Sequence, residues 1–86
     1  MKDVDPSVRE RVSRDGLDFY TAVRAGIFTP LGCGCAQIDG VVSDLLSVGY
    51  AGWLVTEQDV LMPLQNGTTP LQNARQSRDF LRQLGL

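Results

Sequence analysis

Tyr50-Ala51-Gly52-Trp53-Leu54-Val55-Thr56-Glu57-Gln58-Asp59 is the stretch from which the fold class is read. Its apolar part shows no period-two alternation. That suits a parallel strand covered on both faces, because such a strand meets apolar neighbours above and below the sheet. The run ends abruptly in Glu57, Gln58 and Asp59. In α/β barrels and open α/β sheets, ligands bind at the carboxyl ends of the strands, so carboxylates here are well placed for a site. Glu57 as the first solvated residue after a strand is an equal alternative at this point.

The chain has 86 residues, enough for one small domain with a modest core. Apolar residues make up 43% and charged residues 21%, a globular composition. Eight basic against 10 acidic residues leave a net charge of −2, which argues against a nucleic-acid binder. No apolar run approaches the roughly 18 residues of a membrane-spanning helix. Residues 1–5 carry no apolar signal-peptide core, so a cytoplasmic address is expected.

Cys33 and Cys35 stand one residue apart in Gly32-Cys33-Gly34-Cys35. That spacing rarely suits a bridge. Zinc needs about four ligands, and the chain offers two thiols and no histidine. The expectation is two small thiols in a glycine-rich loop. Pro30, Gly32 and Gly34 let that backbone turn sharply or approach something closely. A single Gly-x-Gly is weak evidence for a phosphate cradle.

Around this loop the sequence predicts helices. Asp5 caps and Pro6 opens a short one, with Val8 and Val12 on one face and a stop near Asp15-Gly16. A second short helix turns Leu17, Tyr20, Ala22 and Val23 inward and ends at Gly26. Ile38, Val41, Val42, Leu45, Leu46 and Gly49 recur at helical spacing as a core stripe, with Asp39 as the expected cap. Pro63 and Gly67 mark an irregular loop. Thr69 then caps and Pro70 opens a final helix whose packing face is Leu71, Ala74, Ser77, Arg78, Leu81 and Leu84. Tyr50, Trp53 and Phe80 are expected to pack.

Only one whole strand is in prospect, since residues 1–4 read as the polar end of another. A lone parallel strand leaves its backbone groups unpaired on both sides. The chain is therefore expected to belong to something larger or to pair with another chain, including a second copy, through open strand edges.

Read in order, Lys2-Asp3-Val4, the Phe28-Thr29-Pro30-Leu31-Gly32-x-Gly34 loop, Gly49-Tyr50-x-Gly52-Trp53 and Val55-x-Glu57-Gln58-Asp59 follow a known pattern. The closing Ala74-Arg75-x-Ser77-Arg78-x-Phe80-Leu81-Arg82-x-Leu84-Gly85-Leu86 completes it. Together they resemble the carboxyl-terminal third of the sugar phosphate isomerase/epimerase family, the xylose-isomerase-like TIM barrels. The branch most alike is that of the inosose dehydratases of myo-inositol breakdown.

The resemblance implies that residues 1–86 are a partial (β/α)8 domain, the last strands and helices of a barrel of roughly 250 residues. Family members bind a divalent metal, often manganese, cobalt or magnesium, through carboxylates and one histidine, and act on a small sugar or polyol. Glu57 matches the metal-ligating glutamate of the last strand. Lys2 and Asp3 match the segment after the ligating histidine, which itself falls one position ahead of Met1. One glutamate does not hold a hard divalent ion, which takes about six ligands, so the chain alone is not expected to bind metal tightly or to be a competent enzyme. Lys2 is the catalytic candidate, placed to neutralise a developing oxyanion; a structural ion-pair lysine is the alternative. Gln58 and Asp59 are candidates to orient Glu57, with a capping or solvated role as an equal alternative. The resemblance departs at Cys33 and Cys35, where the family loop is commonly acidic. Three readings compete: a fragment of a metal-dependent sugar or polyol isomerase, epimerase or dehydratase; a non-catalytic module that folds by association; and a thiol-based module.

Overall fold

A computed structural model describes residues 1–62, 64 and 67–86; the turn expected at Pro63 lies outside the described residues. The elements run β1 (Asp3–Val4), α1 (Pro6–Asp15), α2 (Phe19–Arg24), β2 (Phe28–Thr29), α3 (Ile38–Ser47) and α4 (Pro70–Gln83). This is a small α/β arrangement in which helices flank two very short strands.

Most helix ends follow from local chemistry. Asp5 accepts from the backbone amides of Ser7 and Val8 at the start of α1, and Gly16 ends that helix in the left-handed region. Asp18 caps α2 through the Thr21 amide. Thr69 and Gln72 form a reciprocal capping box on α4, with Pro70 in its first turn. At α3 the expectation fails. The cap is Gln37, left-handed at φ 53° and making no side-chain cap bond, and Asp39 lies inside the first turn. An acidic residue there still favours the helix, because its charge meets the positive end of the helix dipole.

The core sits between the loop after β2, α3 and the end of α4. Leu31, Ile38 and Val42 are buried together, with Met1, Phe80, Leu81 and Leu84 packed against them. A second small patch buries Val8, Ala22 and Val23. The expected stripe of α3 is only half covered: Val41 and Leu46 are exposed. Tyr20 and Leu71 also face solvent, as does Arg78. On α4 the fully buried residues are Asn73 and Ser77, while Phe80 and Leu81 pack against the core partly covered.

β1 pairs antiparallel with β2 in the register Asp3↔Thr29 and Val4↔Phe28. On its other side the Met1 amino group donates to the Val55 carbonyl, and the Glu57 amide donates to the Met1 carbonyl at 2.9 Å. Two bonds that straddle Thr56 in this way are one rung of a parallel ladder. Residues 53–59 nevertheless form no regular strand beyond that rung.

The rung sorts side chains by face, because paired residues point the same way and neighbours alternate. Met1 and Thr56 share the face toward the helices; Lys2, Val55 and Glu57 share the other. The sequence reading of a strand covered on both faces is thus corrected. Trp53 is 91% and Val55 61% exposed, since among the described residues nothing covers the second face. Tyr50 is exposed as well, its hydroxyl donating to the Trp53 carbonyl at 2.9 Å, so Phe80 alone of the three expected aromatics joins the core.

Candidate functional site

The single parallel rung brings the two sequence-predicted site residues together. The Lys2 ammonium lies 3.5 Å from Glu57 Oε2 and 2.5 Å from Asp59 Oδ2. It also sits 5.0 Å over the Phe28 ring, a cation–π contact. The residue just before β1 supplies the lysine, the Val4↔Phe28 pairing supplies the ring, and the run after Val55 supplies both carboxylates.

The electrostatics follow from this geometry. The hydrogen bond to Asp59 is the main influence holding the Lys2 pKa above its ordinary value; partial desolvation opposes it, and the charges of Asp59 and Glu57 reinforce it. The ammonium is therefore firmly charged near neutral pH. Glu57 remains 63% exposed in its side chain and Asp59 47%, which leaves carboxylate oxygen open to a ligand.

Gln58 and Asp59 do not orient Glu57 in the way its neighbours in sequence suggested. Gln58 Nε2 donates to the Phe28 carbonyl at 3.1 Å, tying this segment to β2, and Asp59 shares the lysine with Glu57. Gln58 and Asp59 border a cavity of 340 Å³ that also meets Asp5, Arg24, Thr29 and Asn73. The Thr29 hydroxyl is buried beside it and has no hydrogen-bond partner among the described residues.

Sequence reasoning named Asp3 in the matched segment without giving it a role, and it is 2% exposed. Its carboxylate accepts four backbone amides: Val4 at 2.9 Å, Gly32 at 2.9 Å, Gly34 at 3.1 Å and Ala36 at 3.0 Å. Burial pushes its pKa up, but the amides of Ala36, Val4, Gly34 and Gly32 outweigh that and hold the carboxyl below its usual range. A Cβ on Gly34 would strike the Asp3 carboxylate and the Val4 carbonyl, and one on Gly32, at φ 88°, would strike the Phe80 ring. The glycines do let the backbone approach something closely, and it is the chain's own aspartate. The signal was the Gly-x-Gly itself; only its partner was missing.

Cys33 and Cys35 are free and exposed on this loop, and Gln76 Nε2 lies 3.0 Å from Cys33 Sγ. Among the described residues no three His, Cys, Asp or Glu side chains converge. Glu57 and Asp59 both engage Lys2, and the thiols stand elsewhere. The donors that meet among the described residues are fewer than the about six a hard divalent ion takes. Among the described residues no helix is long and apolar enough to cross a membrane.

The chain is similar to a group of curated dehydratases, which it matches along most of its own length. They are named inosose dehydratases. The enzyme of Klebsiella pneumoniae is 37% identical over 83 residues, covering 96% of this chain and 27% of the relative. That of Geobacillus kaustophilus is 41% identical over 59 residues, covering 69% and 19%. That of Bacillus thuringiensis is 34% identical over 83 residues. The chain thus spans about a quarter of the length of the relatives it matches. No family model matches it, and no solved structure does.

Proposed function

We propose that this chain is the carboxyl-terminal part of a xylose-isomerase-like (β/α)8 barrel that dehydrates an inosose, and that it supplies Glu57 and Lys2 to the active site. The observation carrying this reading is the parallel rung between Met1 and residues 55–57, which sets Lys2 against Glu57 and Asp59 on one open face. Adjacent parallel strands joined through helices are the repeating unit of such barrels. The named relatives give the substrate class.

Lys2 is a fixed positive charge in this arrangement, aimed where an oxyanion develops when a proton leaves the carbon beside a carbonyl. Glu57, the more exposed of its two carboxylates, is the residue proposed to join a divalent metal once the remaining ligands are supplied. Such a metal would act as a Lewis acid on the substrate carbonyl. The chain alone is proposed to be inactive.

The test is complementation. The portion of the Klebsiella pneumoniae enzyme that this chain does not match would be co-expressed with residues 1–86, and inosose dehydration assayed with manganese. Activity that falls about 100-fold or more in Lys2→Met, in a complex still assembled, supports the reading. A well-assembled complex without activity in any added divalent metal sinks it.

A second reading, a non-catalytic module that folds by association, draws on the exposure of Trp53 and Val55. It requires that folding of the isolated chain depend on concentration. A cooperative melt of a dilute monomer excludes it.

A further inference from the structure

β1 is held by few ladder bonds: two residue pairs with β2 and the single rung at Met1. A strand so short is free to shift or rotate unless something else fixes it. On its helix-facing side stands Asp3, 2% exposed, clasped by the amides of Gly32, Gly34 and Ala36. The Cys35 amide adds a bond to the Val4 carbonyl at 2.9 Å. The clasp is anchored in turn, because the Leu31 amide donates to Ser77 Oγ on α4 at 3.0 Å and Gly32 packs under the Phe80 ring. On the opposite side of the same strand, one residue earlier, Lys2 reaches over Phe28 to Glu57 and Asp59.

We propose that Asp3 is a positioning residue for Lys2: its carboxylate, locked into the 32–36 loop, sets where the lysine ammonium lies between Glu57 and Asp59. The two residues act as opposite sides of one strand, with the clasp as the fixed side. That Lys2 serves a site rests on the dehydratase reading; that Asp3 places it does not. Gly32 and Gly34 belong to the same device, since any side chain on Gly34 would occupy the space of the Asp3 carboxylate.

The Phe28 ring provides a readout that needs no activity. Side-chain protons held over an aromatic face are shifted upfield, so the Lys2 Hε resonances of the full chain report the ammonium's place. In the wild type they are expected upfield of ordinary lysine values, with Phe28→Leu marking the unshifted position. Asp3→Asn, which keeps the shape but can serve only part of the amide clasp, is expected to lose most of that displacement. Gly34→Ala is expected to do the same while leaving the aspartate in the chain.

A purely structural Asp3 would lower the melting temperature yet leave the Lys2 shift of the folded state unmoved. That outcome overturns the assignment, as does a wild-type Lys2 with no upfield displacement. Should Asp3→Asn fail to fold, Gly34→Ala decides. If neither folds, Asp3 serves the fold as a whole and the assignment to Lys2 falls. Inactivity of the complemented enzyme with an intact Lys2 shift pattern would instead count against the dehydratase reading alone.

Discussion

Asp3 shows how a buried charge becomes tolerable at the scale of one residue. Desolvation penalises the carboxylate, and hydrogen bonds from four amides more than offset it. A group whose pKa is depressed on folding adds stability that is fully present above its unfolded value, about 3.9 for aspartate, and is lost as pH falls through the folded value. Acid titration of the wild type should therefore show stability declining below about pH 4; Asp3→Asn should reduce that decline without abolishing it, because the helix-capping carboxylates of Asp5 and Asp18 are also held below their ordinary range. At neutral pH the same substitution should cost about 1.5–3 kcal/mol in denaturant melts, the range for hydrogen bonds to a charged group. Gly32→Ala should cost about 1–3 kcal/mol, because φ 88° strains any side chain and the new Cβ meets Phe80. The sequence named Lys2 and Glu57 as candidates, through the resemblance, and indicated the need for flexible backbone at Gly32 and Gly34. It did not disclose Asp3 as their partner, since that bond joins positions some thirty residues apart and leaves no local signature.

Among the elements, those governed by neighbouring residues were the legible ones. Asp5-Pro6 and Thr69-Pro70 start helices where the chain places them, and Gly16 and Gly85 follow helix ends. Thr69→Ala should destabilise α4 by about 1 kcal/mol, read as a lower thermal midpoint and faster amide exchange in its first turn. Leu31→Ala should cost about 2–5 kcal/mol, because Leu31 is 2% exposed at the centre of the main core. The start of α3 misled because Gln37 adopts a left-handed conformation that sequence favours in glycine or asparagine. The Trp53 segment misled for a different reason. Its apolar run announces burial on both faces, but burial is a property of what lies opposite, and of residues 51–57 Leu54 alone is even partly covered. The inward faces of α2 and α4 were misassigned at Tyr20, Leu71 and Ala74 on the same grounds; Ser77 turns in as expected, and Asn73 joins it unannounced.

For the whole molecule the exposed apolar surface is the dominant fact. Trp53 is 91%, Val48 79%, Met62 67% and Val55 61% exposed, and Trp53 and Val55 lie on the same face of one segment. Trp53 is the sole tryptophan, so its fluorescence reports directly on that face. In the isolated dilute chain it should be red-shifted and readily quenched by acrylamide. Complementation by the portion of a relative that this chain does not match should shift it blue and protect it, whereas no change on forming a stable complex would place the partner elsewhere. The clasp around Asp3 bears on which ligands the molecule can accept. Its inward amides form a ready-made receptor for an oxyanion, yet a tethered carboxylate already fills it at an effective concentration no free ion approaches. Inorganic phosphate or a phosphorylated sugar must displace that resident to gain those amides, while an uncharged ring of hydroxyls has no need of them.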